Sequence, residues 1–183
     1  MKLKKLLELL KADLIRLLAE VENPSYFDIC KKSFNPRFFP VLMIRLSRYF
    51  YLNRWLKFLS PVFTWLNIIL FGIEFTPRCE VGCGLLLPHS VGTVIGASKI
   101  GNNATIFQGV TLGAISLDLG FDPSLRPQIG DNVVVGAGAK ILGGLVVGDN
   151  VKVGANAVVL DSLDSNATAV GIPARLIEKK TSK

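Results

Sequence analysis

The stretch IGDNVVVGAGAKILGGLVVGDNVKVGANAVVL, residues 129–160, repeats every six positions. Ile129, Val135, Ile141, Val147, Val153 and Val159 are each six apart. Four places after each comes another small or aliphatic residue: Val133, Ala139, Leu145, Val151, Ala157 and Leu163. Glycine follows the first aliphatic in IGDNVV, VGAGAK, VGDNVK and VGANAV. A fixed short period of this kind signals a parallel β-helix rather than an amphipathic helix. Each unit supplies one short flat strand and one turn. Three units close a triangular coil, so equivalent residues recur about every 18 positions. The repeated aliphatic points inward and stacks on its copy one coil away. Glycine or asparagine takes the turn positions that strain other residues.

Working outward, Ile100, Ile106 and Leu112 keep the same step, as do Phe75, Val81 and Leu87. After Leu87 the next step, to Val94, is seven. That break falls in LLLPHSVG (85–92), which holds His89, the single histidine of the chain. A second interruption, GAISLDLGFDPSLRPQ (113–128), is too polar and too punctuated by Pro and Gly to be a coil and is predicted to protrude as a loop. Irregularities beside a candidate base point to a site. Before Gly72 the period is helical. Leu3, Leu6, Leu7, Leu10, Leu14, Leu17, Leu18 and Val21 form the stripe of a first helix, which Asn23-Pro24 ends. Pro40 to Leu52 and Arg54 to Phe71 read as two more helices, with Pro61 kinking or restarting the second. The expected organisation is a helical region over 1–72, a mainly β parallel β-helix over 73–172 and a C-terminal tail over 173–183.

The 183 residues suit one core, and half of them are hydrophobic. The net charge of +7 is confined to the front of the chain. Residues 1–72 carry 12 Lys/Arg against 5 Asp/Glu, whereas residues 73–183 carry 9 of each. The basic segment has long aliphatic and aromatic stripes and no nucleic-acid motif, so no nucleic-acid partner is expected. Cys30, Cys79 and Cys83 are an odd number without a disulfide framework and read as reduced and cytosolic. With a single histidine they do not supply the four ligands of a usual structural metal site, so no metal is expected. The leucines of MKLKKLLELLKADLIRLL are interrupted by Glu8, Lys11 and Asp13, and no small-residue cleavage site follows, which argues against a signal peptide.

The runs IEFTPRCEVG, PHSVGTVIG, IFQGVTLG, IGDNVVVGAGAKILGG, VKVGANAVV and AVGIPARLI, with the preceding FFPVLMIRLSRYFY, together resemble the serine acetyltransferase family. The resemblance implies a left-handed β-helix, acetyl-CoA as donor, a hydroxyl as acceptor and a homotrimer with active sites between subunits. It also implies a histidine base at the position of His89. The chain departs from that family at two places. Pro88 stands where an aspartate usually precedes the histidine and orients it. Leu125-Arg126-Pro127 stands where the family has an Arg-His-Pro run, so Arg126 replaces a second active-site histidine. The family's larger N-terminal helical domain corresponds here to 72 residues. The Leu-Pro-His variant resembles the branch associated with polysaccharide biosynthesis. The expected acceptor is therefore a sugar hydroxyl of a bacterial surface polysaccharide or its lipid-linked precursor. Serine, for cysteine biosynthesis, is the alternative, and a non-catalytic trimeric scaffold is a second one.

Acetyl transfer to a hydroxyl needs a base, an oxyanion donor and a held thioester. A histidine is suited to the first role because imidazole titrates near neutrality. His89 is the candidate, oriented by a backbone carbonyl or by Asp118 or Asp122. By resemblance, the Gly113 backbone is the oxyanion donor. Arg126, Asp118 and Asp122 are the candidate acceptor contacts. Small residues that let CoA lie close are Gly113, Ala114, Ala137, Gly138 and Ala155, with Ala137 and Ala155 one coil apart. Lys152 and Arg175 are the cations expected to meet CoA phosphates, with Lys179 and Lys180 as weaker candidates.

Residues 29–73 hold seven Lys/Arg, no acidic residue and 11 of the 16 aromatics, including Trp55 and Trp65. Arg45 with Arg48, and Arg54 with Lys57, can share helix faces. The apolar run PVFTWLNIILFG stops at 12 residues, short of a bilayer span. This fits helices lying in a membrane interface. The alternative is packing on the β-helix or between subunits. The expected location is cytoplasmic, with peripheral contact at the inner face of the membrane through this segment.

Overall fold

A computed structural model describes residues 1–18 and 35–177. Val21, Asn23-Pro24, Cys30, residues 29–34, Lys179 and Lys180 lie outside the described residues. Among the described residues three helices precede the coil: α1 (Leu3–Leu17), α2 (Phe38–Tyr51) and α3 (Ser60–Phe71), with a short 3-10 turn at Lys57–Leu59. Pro61 sits in the first turn of α3, where its missing N–H costs nothing, so it starts that helix rather than kinking it. Gly72 ends α3 in the left-handed conformation at φ 64°, and β1 (Ile73–Phe75) follows at once.

Fourteen short strands, β1 to β14, follow from Ile73 to Leu176 and stack into three sheets. β1, β3 (Thr93–Ile95), β6 (Thr111–Gly113), β9 (Lys140–Leu142) and β12 (Val158–Val159) make one face. β2 (Glu80–Val81), β4 (Lys99–Ile100), β7 (Gln128–Ile129) and β10 (Val146–Val147) make the second. β5 (Thr105–Ile106), β8 (Val134–Val135), β11 (Lys152–Val153), β13 (Thr168–Val170) and β14 (Arg175–Leu176) make the third. All pairings are parallel except β13 with β14, so the segment expected as a plain tail closes the last coil with an antiparallel strand.

The six-residue aliphatics from Ile100 to Val159 are all buried and form one stacked core with Ala104, Val110, Val133, Ala139, Val151 and Ala157. Burying each such large aliphatic contributes about 1.5–3 kcal/mol. At one corner Asn103, Asn132, Asn150 and Asn166 all take φ between 57° and 66°, and each side-chain amide donates to the next at 3.1–3.2 Å. Asparagine tolerates the left-handed turn and also makes a ladder, which explains its repetition in the sequence.

Two register expectations are corrected. The inward residue after Leu87 is Ile95, not Val94: Ile95 is 1% exposed and pairs with Phe75, while Val94 is half-buried. The strand spans Thr93–Ile95, so the odd-numbered members face in and PHSVG bulges outward ahead of it. On α1, Leu3 and Leu7 are exposed while Leu9 and Asp13 are buried. An ion pair turns the helix. Asp13 accepts from Arg45 Nε at 2.8 Å and Nη2 at 2.9 Å, and from the Leu85 N–H at 2.9 Å. Arg45 also donates to the carbonyls of Val81 at 2.8 Å and Gly82 at 2.6 Å. Arg48 donates to the Pro77 and Cys79 carbonyls at 3.0 and 2.7 Å. Arg45 and Arg48 therefore face the first coil, not a surrounding phase. They satisfy carbonyls that the coil's open end leaves without strand partners.

Candidate active site

His89 is exposed on the bulge between Leu87 and β3. The imidazole lines a cleft of about 460 Å³ between the bulge, the start of α2 and the end of α3. Its walls are mostly apolar, from Pro40, Phe71, Leu87 and Val91, with Arg37 and Gln108 as the other polar side chains besides Ser90. No hydrogen-bond partner holds the imidazole among the described residues. Pro88 has no N–H to offer.

The loop leaves β6 at Gly113 and returns at β7. Ile100 pairs with Ile129, where the neighbouring coil pairs Ile129 with Val147, so the extra residues are all in the protrusion. Ile115, Leu117 and Leu119 are exposed at its tip. Its base is tightly organised. Arg126 Nε donates to Asp118 Oδ2 at 2.9 Å, Nη2 to the Asp118 carbonyl at 2.9 Å and Nη1 to the Gly96 carbonyl at 2.9 Å. The same guanidinium lies 4.3 Å from the centroid of Phe121, whose backbone has φ 59°, an uncommon conformation for a bulky residue. The Arg78 guanidinium lies 5.7 Å from the centroid of the same ring and donates to the Gly120 carbonyl. Asp122 caps the 3-10 turn Pro123–Leu125, accepting from Ser124 N and Oγ at 2.9 and 2.7 Å. Desolvation opposes ionisation of Asp118, but the Asp122 N–H and the Arg126 guanidinium outweigh it and hold the carboxyl below its usual range. Hydrogen bonds from Ser124 hold Asp122 low as well.

Gly113, Asp118 and Arg126 line a second cavity, of about 250 Å³, with Arg78, Phe121 and Gly96. Within one chain the structure does not bring them to His89. Neither Asp118 nor Asp122 lines the histidine's cleft, and Arg126 donates to Asp118 of its own loop and to the Gly96 carbonyl after β3. A Cβ at Gly113 would meet nothing within 4 Å, so open space rather than crowding surrounds that position.

The small-residue strip is present as a surface feature. The Asn156 N–H donates to the Ala137 carbonyl at 2.8 Å, which sets Ala137 and Ala155 one coil apart at a single corner. Ala155 is exposed, and Ala114 and Ala137 are half-buried. Gly138 takes φ 73°, and a Cβ there would fall 2.1 Å from Asn156 Oδ1, so turn geometry alone requires this glycine. Lys152 on β11 and Arg175 on β14 are exposed on the adjoining sheet. Burial pushes the Cys79 thiol up to about 12, which leaves it a packing residue rather than a nucleophile. Among the described residues no three His, Cys, Asp or Glu side chains stand together as a metal centre.

Sequence reasoning missed Arg37 and Gln108. The signal for Gln108 was its place inside IFQGVTLG. Arg37 carried none, because its approach to His89 depends on how α2 packs against the first coil.

Residues 126–161 match the family model for bacterial transferase hexapeptide, six repeats. The chain is 46% identical over 109 residues to a serine acetyltransferase of Staphylococcus xylosus, covering 59% of this chain and 49% of that protein. It thus spans about half the length of the curated relatives it matches. Its fold superimposes on a serine acetyltransferase in complex with CoA with a TM-score of 0.80 at 28% identity, covering 96% of this chain and 71% of the other. For soybean serine acetyltransferase complexed with serine, the TM-score is 0.81 at 32% identity, covering 95% and 70%.

Proposed function

The chain belongs to the serine acetyltransferase-like family of hexapeptide-repeat left-handed β-helices, and on that premise we propose that it is an acetyl-CoA-dependent O-acetyltransferase with His89 as general base. One observation carries the reading. The single histidine sits exposed on a bulge that interrupts the coil, over a cleft large enough for a small acceptor. A regular β-helix has no need of such a bulge.

His89 takes the proton of the acceptor hydroxyl while its oxygen attacks the thioester carbonyl carbon. The C–O bond forms, the oxyanion collapses, the C–S bond breaks and the imidazolium returns its proton to the departing CoA thiolate. A positioned base of this kind contributes about 10²- to 10⁴-fold. The Gly113 backbone is the proposed oxyanion donor. The Ala137/Ala155 corner is the proposed seat of CoA, with Lys152 and Arg175 toward its phosphates. The proposed working unit is the homotrimer that the family resemblance implies, and the separation of His89 from the Gly113 cavity within one chain supports a site shared between copies. A second copy can set one chain's loop against its neighbour's histidine.

For the acceptor, the names of the relatives favour L-serine over the polysaccharide sugar that the Leu-Pro-His run suggests. The sugar is kept as the second reading because of Pro88 and Arg126, which depart from the serine enzymes' pattern. Acetyl-CoA turnover with L-serine and with a panel of sugars separates the two, and no turnover with any hydroxyl acceptor overturns both. A peripheral membrane position is a further part of this proposal. Trp55 is 85% exposed, Trp65 63% and Ile69 71%, and the exposed cations Arg54 and Lys57 lie beside them. No helix among the described residues is long and apolar enough to cross a membrane.

A further inference from the structure

We infer that Arg37 and Gln108 form, with His89, an acceptor site that selects a hydroxyl compound carrying an anionic group and a second hydrogen-bond donor. This rests on the acetyl-transfer reading above and names the substrate class of the same cleft.

Besides Ser90, three polar side chains without a hydrogen-bond partner among the described residues line this cleft. The first is His89. The second is Gln108, whose side-chain Oε1 is one of two buried polar side-chain atoms without a hydrogen-bond partner among the described residues. A buried unpaired carbonyl costs about 1–3 kcal/mol, and natively folded chains rarely leave one without reason. The other such atom, Asn67 Oδ1, belongs to an amide that already donates to Pro40, whereas the Gln108 side chain makes no hydrogen bond at all among the described residues. The third is Arg37. Its backbone N–H caps back onto Asn35, but its guanidinium has no hydrogen bond or ion pair among the described residues. Other arginines packed on the coil hold backbone carbonyls or a carboxylate. Arg45 and Arg48 hold carbonyls of the first coil, and Arg126 holds Asp118 of its own loop and the Gly96 carbonyl. Arg126 lines the other cavity, and Arg37 is the guanidinium that lines the cleft of His89.

The chemistry of the occupant follows from the three groups. His89 accepts the proton of the reacting hydroxyl. Gln108 Oε1 accepts from a neighbouring O–H or N–H of the same molecule, which relieves its burial. Arg37 offers a planar pair of N–H donors that fits a carboxylate or a phosphate. The apolar walls from Phe71, Leu87 and Val91 lower the local dielectric and strengthen those bonds. Both L-serine and a sugar phosphate have a hydroxyl, a second donor and an anion.

Steady-state kinetics and calorimetry on the full chain test this, with L-serine, N-acetylglucosamine 1-phosphate and uncharged N-acetylglucosamine as probes. Arg37→Ala is expected to weaken the charged acceptor by about tenfold or more, the worth of one charge-assisted hydrogen bond, in both KM and Kd. The KM for acetyl-CoA should stay within about twofold, and Arg37→Lys should recover part of the loss. Gln108→Leu should weaken the same acceptor by about five- to tenfold. Whichever charged probe responds identifies the source of the anion. Unchanged acceptor affinity in both variants overturns the inference, as does a wild-type protein that binds neither charged probe or prefers the uncharged sugar. A wild-type protein that binds a charged probe through Arg37 but transfers no acetyl group upholds the site and overturns the transfer reading instead.

Discussion

Arg126 Nε stands 2.9 Å from Asp118 Oδ2, eight residues back along the same loop, with the Phe121 ring over the guanidinium. The pair makes the 114–127 segment an organised projection rather than a floppy insertion. The depressed Asp118 carboxyl sets the sign of its pH dependence. Its stabilising contribution is fully present above the unfolded-chain value of about 3.9 and is lost as pH falls below that toward the lower folded value.

The corresponding expectation is selective acid loosening. Hydrogen exchange of the 114–127 peptides, corrected for its intrinsic pH dependence, should accelerate below about pH 4 while the coil strands stay protected. Arg126→Ala should show the same loop exposure already at pH 7, with chymotrypsin cutting near Leu117, Leu119 and Phe121. Equal protection of wild type and variant at pH 7 would remove the clasp from the account.

The Asp13–Arg45 pair ties α1 and α2 to the open end of the coil. Both side chains are 1% exposed, so removing one leaves the other as an uncompensated buried charge. Asp13→Ala should cost about 3–5 kcal/mol in urea unfolding, and Asp13→Leu with Arg45→Met should recover most of it. A loss below about 1 kcal/mol would mean that water reaches the pair.

A bulky side chain on the Ala137/Ala155 corner should obstruct the donor. Ala155→Trp is expected to raise the acetyl-CoA KM by about tenfold or more, because an indole would stand where a CoA chain needs van der Waals contact. The oligomeric state should not change. Unaltered CoA affinity in both Ala137→Trp and Ala155→Trp would move the donor groove elsewhere.

The membrane reading is decided by flotation. Purified protein should float with vesicles containing anionic lipid at low salt and be released as salt rises, since each interfacial cation contributes about 1 kcal/mol and is screened. With Arg45 and Arg48 turned inward, Arg54→Glu with Lys57→Glu should abolish flotation. Protein that stays with the soluble fraction under all conditions overturns the membrane reading.

The coil was legible because its rule is local and repeated. From Ile129 to Val159 each inward residue is announced by the one six places before it, and Asn132 and Asn150 mark the turns. The first coil was less legible. Val94 seemed inward by counting, but the outward bulge at His89 shifts the strand so that Ile95 faces in. The phase of α1 could not be read from leucines alone, because the partner of Asp13 lies 32 residues away. The pattern of Arg45 and Arg48 was equally ambiguous. Spacing puts two arginines on one face and does not say whether that face meets lipid or unpaired carbonyls. The loop was visible as an interruption, yet the pairing of Arg126 with Asp118 depends on a left-handed Phe121 that no composition rule announces. Arg37 and Gln108 became site candidates only when folding brought α2 to the coil.

Central to the account is His89 as the base of acetyl transfer, and turnover of acetyl-CoA by His89→Ala, with L-serine and with sugar acceptors, tests it most directly. The account predicts a folded protein of unchanged oligomeric state and unchanged acetyl-CoA affinity whose kcat falls by about a hundredfold or more. A folded His89→Ala protein that transfers acetyl at close to the wild-type rate would contradict it.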